Sequence, residues 1–113
     1  MEDCIFCKLA NGEIPTDMVY QDELVACFRD AGPQAPVHLL LVPKIHIASL
    51  DDLSSENAEL MGHMMLKIKE IAAAEGLENG YRVVINTGED GQQTVKHLHL
   101  HILGKRQMNW PPG

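Results

Sequence analysis

The sequence predicts an α+β domain built on a five-stranded antiparallel sheet with one long and one short helix. Three observations carry that prediction. Short apolar runs of strand length flank a single long amphipathic segment, so the order is strands, helix, strands, which differs from the regular strand–helix alternation of a parallel sheet. Between Ser54 and Gly76 the apolar residues recur at three- and four-residue spacing, the period of a helix with one buried face. His97-Leu98-His99-Leu100-His101-Ile102-Leu103 alternates histidine with aliphatic residues, the period of an extended strand. At 113 residues, 45% of them hydrophobic, residues 1–113 form one expected domain. Such a chain buries roughly two-thirds of its unfolded surface and needs no disulfides to do so.

Each element has a local reason. Ile5, Phe6 and Leu9 stand at near-helical spacing and Asn11-Gly12 closes the segment, so a short helix is expected over 4–11. Met18 to Tyr20 and Leu24 to Phe28 read as a hairpin around Gln21-Asp22-Glu23. Asp30-Ala31-Gly32-Pro33-Gln34-Ala35-Pro36 is dense in breakers and is expected to be a structured loop. Val37 to Val42 is an apolar strand that carries His38 and stops at Pro43, whose missing N–H suits a strand end. The long helix takes Ser54 or Ser55 as its N-cap and runs to Gly76. Tyr81 to Ile85 is a fourth strand, Asn86 to Gln93 a polar, glycine-bearing loop, and His97 to Leu103 the fifth strand. Both helices are expected on one face of the sheet.

Composition excludes several functions. Nine basic against sixteen acidic residues give a net charge of −7, which argues against nucleic acid as a partner. A small anion would need a local site made of imidazoles and backbone N–H groups. No apolar run approaches the roughly 20 residues of a membrane span, and the acidic Met1-Glu2-Asp3 start does not suit a signal peptide, so no membrane partner and a cytoplasmic location are expected. Three cysteines, two of them as Cys4-Ile5-Phe6-Cys7, fit a reducing compartment better than a disulfide framework. The pair reads as a zinc clip if two histidines complete a Cys₂His₂ set; a buried apolar pair and a redox dithiol are the alternatives. Cys27, within an apolar strand, is expected to be a buried small hydrophobe, and His63 an ordinary helix residue.

In an extended segment His97, His99 and His101 share one face, roughly 6.5–7 Å apart, while Leu98, Leu100 and Ile102 anchor the other. Two chemistries compete for such a face. A His-x-His pair with a third ligand can hold catalytic zinc. Alternatively, a neutral imidazole, with an ordinary pKa near 6.5, is a nucleophile at pH 7 without help from another base, and phosphorus is a suitable electrophile. The preceding Asn86-Thr87-Gly88-Glu89-Asp90-Gly91-Gln92-Gln93-Thr94 favours phosphorus, because its backbone turns, amides and hydroxyls can surround phosphate oxygens.

The alternating histidines resemble the histidine-triad (HIT) pattern. Ile5-Phe6, Glu13-Ile14-Pro15, Pro33-Gln34-Ala35-Pro36-Val37-His38, Val42-Pro43-Lys44, Gly80-Tyr81-Arg82, Val84-Ile85-Asn86 and Gln93-Thr94-Val95 extend the likeness along nearly the whole chain. The ending Trp110-Pro111-Pro112-Gly113 is similar to the Hint branch. The resemblance implies a homodimer whose two sheets join, and a hydrolase that cleaves purine nucleoside 5′-phosphoramidates through a nucleotidylated histidine. By motif position it implies His99 as the nucleophile, with His101 and Thr94 on phosphate oxygens and the leaving group. His38 and His97 are implied to stand behind His99 and set its tautomer, and Asn86 and Gln93 to hold the phosphate. Asp30 is implied to take the ribose hydroxyls, and Ile5, Phe6, Leu9, Ile14, Phe28 and Leu40 to form the base pocket.

Metal-bearing relatives with such a cysteine pair imply His46 and His97 as partners of Cys4 and Cys7. No organic cofactor is expected beside that structural zinc. The Trp-Pro-Pro tail is implied to reach the neighbouring subunit's site. This chain departs from the usual pattern at Gly91-Gln92-Gln93, where Gly-Gly-Gln is common, and also at Arg29, Ala31, Thr94 and Asn109. Two rival functions remain: a zinc hydrolase that uses His97, His99 and His101 or His38 as ligands, and a non-catalytic nucleotide-binding or scaffold protein.

Overall fold

The computed structural model describes residues 3–113, so the reading of Met1 and Glu2 lies outside the described residues. In chain order the elements are α1 (Ile5–Ala10), β1 (Met18–Gln21), β2 (Val25–Arg29), β3 (Val37–Pro43), α2 (Ala58–Ala74), β4 (Tyr81–Val84) and β5 (Leu100–Gly104). The five strands form one antiparallel sheet in the order β1-β2-β3-β5-β4. The predicted α+β architecture is therefore present, with each strand where the sequence placed one. Among the described residues no helix is long and apolar enough to cross a membrane.

β3 lies at the centre and is buried along its whole length, which explains its unbroken apolar run. Its alternate residues serve two different cores. Leu39 and Leu41, with Val25 and Cys27 of β2 and Leu100 and Ile102 of β5, pack against Met64, Ile68, Ile71 and Ala72 of α2. Leu40 and Val42, with Ala26 and Phe28, pack against Phe6 and Ala10 of α1. The helices thus lie on opposite faces of the sheet, which corrects the expectation that they share one. The reason is in β3 itself: a strand apolar on both faces needs a cover on each. Burial pushes the Cys27 thiol up to about 12, as suits a small buried hydrophobe.

Two element boundaries also differ from expectation. Ser54 does cap the helical segment, through a capping box with Asn57, but the first turn over Ser55–Asn57 is a tight 3-10 turn and the α-helix begins at Ala58. Past the other end of α2, Gly76 takes φ +75°, the left-handed conformation that lets the chain turn away. The histidine strand begins at Leu100, three residues later than its pattern suggests, because the Leu98 N–H donates to the Ile47 carbonyl at 2.7 Å. His97 and His99 therefore lie in an irregular approach to β5. The alternation persists through it: Leu98, Leu100 and Ile102 all join the α2 core.

The β1–β2 turn is held by Asp22. Its Oδ1 accepts the N–H groups of Leu24 and Val25 at 2.8 and 2.9 Å, while Oδ2 accepts the Tyr20 hydroxyl at 2.7 Å and lies 2.7 Å from His63 Nε2 on α2. His63 is thus a tether between the helix and the hairpin. Burial pushes the Asp22 carboxyl up, but the bonds from Tyr20, Leu24, Val25 and His63 outweigh it and hold the carboxyl well below the usual carboxylate range.

A carboxylate held that low stabilises the fold fully above its unfolded pKa of about 3.9, and the benefit fades as pH falls toward the folded value. Asp22→Ala is expected to cost about 2–3 kcal/mol at pH 7. Urea unfolding of both proteins should show the gap narrowing at pH 2.5. A gap of constant size would contradict the role given to Asp22.

Candidate active site

On the α1 face of the sheet a cavity of about 430 Å³ opens between α1, β2, β3 and the approach to β5. Ile5, Phe6, Leu9, Phe28 and Leu40 give it apolar walls, and Asp30, Thr94, His99 and His101 bring polar groups. Ile14 is not among its walls; Pro15 and Thr16 stand there instead, together with Arg29, Ala31 and Val95. The Arg29 guanidinium is held at the rim by Glu75 at 3.0 Å and Asp17 at 3.4 Å. Pro15 and Val95 lie in segments that carry the family likeness but are given no place in the pocket by it, and Thr16 carries no signal at all; the placement of all three depends on how the chain leaves α1 and enters β5.

The protonation of each imidazole follows from its partners. A carbonyl can only accept, so His97 Nε2, 2.8 Å from the Pro43 carbonyl oxygen, carries the ring proton. His97 Nδ1 then presents a lone pair to Cys4 Sγ at 3.2 Å and Cys7 Sγ at 3.3 Å. His99 Nδ1 donates to the His97 carbonyl at 2.7 Å, which leaves the Nε2 lone pair of His99 available. The Gln34 N–H donates to His38 Nδ1 at 3.0 Å, so the His38 proton sits on Nε2 and is given to His101 Nδ1 at 2.9 Å. His101 Nε2 therefore bears the proton; it is buried and has no partner among the described residues. Such an orphan donor costs about 1–3 kcal/mol until something accepts from it.

The electrostatics agree with neutral rings. Burial lowers the pKa of His97 and of His38, against an opposing push from the Pro43 carbonyl and from Asp30 respectively. Burial, with His99 and His38 adding, brings His101 down to about 4. Phe6 packs edge-on against His99 with ring centroids 4.9 Å apart, so α1 helps to hold that ring.

Several residues sit differently from the roles the resemblance implied. Of the two residues implied to set the His99 tautomer, His97 does so, through its backbone carbonyl, whereas the His38 ring contacts His101. Gln93 does not line the cavity: its amide nitrogen donates to Ala48 O at 2.7 Å and Val95 O at 3.0 Å, and its Oε1 accepts the Gly88 N–H at 3.3 Å. It fastens the loop that carries Thr94. Asn86, half-buried at the end of β4, is not among the cavity walls either. Gln92 adopts φ +63°, which accounts for glycine being common at that position in the pattern, and a Cβ on the neighbouring Gly91 would come within 2.5 Å of the Thr87 carbonyl oxygen.

Behind the cavity, one donor atom from each of Cys4, Cys7, His46 and His97 falls within 4.8 Å of all the others. A tetrahedral zinc with Zn–S of about 2.3 Å and Zn–N of about 2.0–2.1 Å puts sulfur and nitrogen roughly 3.5 Å apart. The sulfur–nitrogen distances of 3.2–3.3 Å to His97 and 3.3 Å to His46 fit that geometry. The His97 tautomer also offers the correct nitrogen. Burial first, then the hydrogen bond and charge of Cys4, push the Cys7 thiol up to about 11, so metal binding there displaces a proton. Four protein ligands make a closed, structural site.

Asp30, His38 and His101 form a second cluster of potential ligands. There the nitrogen that would face a metal, His38 Nε2, already carries the ring proton, because Nδ1 accepts from Gln34. Among the described residues the three triad imidazoles do not converge on one point, which removes the geometric basis for a catalytic zinc held by His97, His99 and His101.

Residues 3–110 match the family model described as scavenger mRNA decapping enzyme C-term binding. An HIT-like protein of Synechococcus elongatus is 56% identical over 112 residues, covering 99% of this chain and 98% of that protein. A 14 kDa zinc-binding protein of Zea mays is 50% identical over 111 residues, covering 96% of this chain and 87% of that one. The crystal structure of an HIT family hydrolase from Legionella pneumophila superposes with a TM-score of 0.96 at 51% identity, covering 98% of this chain and 100% of that one.

Titration of the reduced protein with zinc is expected to reach one tightly held equivalent per chain. Cys4→Ala or Cys7→Ala should lose it and lower the melting temperature of the zinc-loaded protein to that of the chelated one. Retention of a full equivalent by the Cys4→Ala, Cys7→Ala double variant would show that these residues do not form the site.

Proposed function

Because the chain belongs to the histidine-triad family and has the hydrolase-like architecture of its relatives, we propose that it is a Hint-type hydrolase of purine nucleoside 5′-phosphoramidates. One observation carries the reading: the His99 imidazole lines a nucleoside-sized cavity with its Nδ1 proton anchored on the His97 carbonyl, which directs its Nε2 away from that bond. In this reading the purine lies among Ile5, Phe6, Leu9, Phe28 and Leu40, and the ribose hydroxyls reach Asp30. The α-phosphorus then stands before His99, and the orphan His101 N–H and the Thr94 hydroxyl face its oxygens.

The reaction proceeds in two displacements. The His99 Nε2 lone pair forms a bond to phosphorus as the P–N bond breaks, and that electron pair leaves with the nitrogen, which takes up a proton and departs as the amine. The positive charge on the nucleotidylated imidazole is shared through Nδ1–H with the His97 carbonyl. Water then attacks phosphorus from the vacated side, the bond to His99 breaks, and the nucleoside monophosphate and a proton are released. Positioning and charge stabilisation supply most of the acceleration in such a transfer.

Zinc, when bound, supplies structural cross-linking. Cys4, Cys7, His46 and His97 would hold it and so fix both α1, which carries Phe6, and His97, whose carbonyl orients His99. A homodimer joined through the β4 edge, at the end of the described sheet order, suits the exposed Tyr81. Trp110, 81% exposed beside Arg82, is then free to meet a neighbouring subunit. A cytoplasmic location completes the reading, in keeping with the thiol pair.

His99→Ala should lower turnover of adenosine 5′-phosphoramidate by roughly 10⁴-fold or more. Rapid acid quench of the wild-type protein should reveal a nucleotidyl adduct on His99 by mass spectrometry. Undiminished turnover by the variant, or an adduct on another residue, would overturn the assignment.

A further inference from the structure

We propose that Cys4 and Cys7 form a reversible disulfide, and that this link and a bound metal are alternative states of one site, so that oxidation by a peroxide empties the cysteine–histidine cluster and loosens one wall of the cavity. The disulfide stands apart from the nucleotide reading; its effect on nucleotide binding rests on that reading.

The two sulfurs are already close. Both lie beside a single atom, His97 Nδ1, at 3.2 and 3.3 Å, and within 4.8 Å of each other. The Cys7 N–H donates to Cys4 Sγ at 3.2 Å, which holds the Cys4 side chain over the first turn of α1. A disulfide brings its sulfurs to about 2.05 Å. Cys4 is the residue able to close the gap, because as N-cap, with φ −86° and ψ 109°, it stands outside the helix. Cys27 does not compete for either partner: it is fully buried in the core beneath α2, whereas Cys4 packs against the core on the α1 face of the sheet.

The two thiols differ in access. Both are half-buried, but a cavity of about 660 Å³ opens on Cys4 and His46, and Cys7 is not among its walls. Cys4 therefore meets a small oxidant first. Its sulfur attacks one oxygen of hydrogen peroxide, the O–O bond breaks, and the departing hydroxide takes the thiol proton and leaves as water. Cys7 Sγ then attacks the sulfenic sulfur of Cys4. The S–O bond breaks as the S–S bond forms, and the second hydroxide leaves as water with the Cys7 proton. Two thiols and one peroxide have become a disulfide and two molecules of water, and a dithiol reductant reverses the change by exchange.

Metal and disulfide exclude each other because zinc is held by thiolates, and a disulfide has none to give. His46 and His97 alone supply half of a tetrahedral set. The effect on shape follows from how α1 is attached. In the reduced cluster the sulfurs join this six-residue helix to His46 and His97, whereas the disulfide joins the helix start only to itself. The cavity over Cys4 shares Ile5, Thr94 and Val95 with the nucleotide cavity, so the segment released by oxidation lines both.

Experiments on the full chain test the exclusion. Peroxide treatment of the reduced, chelated protein should remove the mass of two hydrogen atoms, and peptide mapping should place the link between Cys4 and Cys7 with Cys27 still a thiol. The linked protein should take up no zinc until a dithiol reductant is added, and zinc loaded beforehand should protect the pair. In Cys7→Ser, which lacks the resolving thiol, a sulfenic-acid trapping reagent should label Cys4. Sulfinic acid on Cys4 of the wild-type protein with no link to Cys7, or full zinc uptake by the linked protein, would overturn the proposal. Calorimetry should show adenosine 5′-monophosphate binding about 5- to 10-fold more weakly to the linked protein than to the zinc-loaded one, at the low end of ordinary coupling between sites, and recovering after reduction and reloading. Equal affinity would overturn the coupling to the cavity. Should neither form bind the nucleotide, the nucleotide reading fails, and mass and zinc uptake still decide the disulfide.

Discussion

The buried bond from His97 Nε2 to the Pro43 carbonyl, 2.8 Å long, is the contact on which most of the site depends. It ties the irregular approach to β5 onto the end of β3. It also fixes which nitrogen of His97 is bare, and so which atom faces the two cysteine sulfurs. The same residue's carbonyl takes the proton of His99. One residue therefore joins the sheet, the sulfur–imidazole cluster and the His99 ring, and its complete burial keeps water from competing for these bonds.

That arrangement requires a sheet with two different faces. Leu98, Leu100 and Ile102 sink into the core beneath α2, so the intervening histidines are held from below by aliphatic packing. The opposite face is covered only partly, by the six residues of α1. A helix that short has little stability of its own. Cys4 caps its N-terminus through a bond from the Cys7 N–H at 3.2 Å, and both sulfurs point to the histidine cluster. The wall that carries Ile5, Phe6 and Leu9 is thereby attached to the same place that orients His99, which couples the shape of the cavity to the integrity of the cysteine–histidine cluster.

Charge is managed locally. The chain as a whole is acidic, with a net charge of −7, yet the cavity is lined by two imidazoles, the threonines Thr16 and Thr94, the Arg29 side chain and apolar walls, with Asp30 the only carboxylate among the lining residues described. Burial keeps His38, His97 and His101 neutral, so each ring has one donor and one acceptor and the network can be read in only one direction. An anionic group entering such a site meets oriented N–H dipoles that need no reorganisation.

Much of the molecule was legible in the sequence. The alternation of His97 to Leu103 separated the aliphatic anchoring face from the imidazole face because side-chain direction in an extended chain depends only on residue parity. The spacing from Leu60 to Ala72 identified the long helix because its period is equally local, and Cys4-x-x-Cys7 marked a sulfur pair that one short helical turn brings together. Other features depended on partners distant in the chain. That α1 and α2 cover opposite faces follows from β3 being central, which is a matter of strand order. That Gln93 is spent on backbone carbonyls, and that Pro15 and Thr16 stand where Ile14 was expected, follows from loop paths. The roles of the four histidines differ most of all. As residues they are the same imidazole, told apart in the sequence only by the family resemblance; in the fold, the Pro43 carbonyl, the His97 carbonyl and the Gln34 amide each dictate a tautomer, because a ring nitrogen's proton goes where its neighbour can accept it.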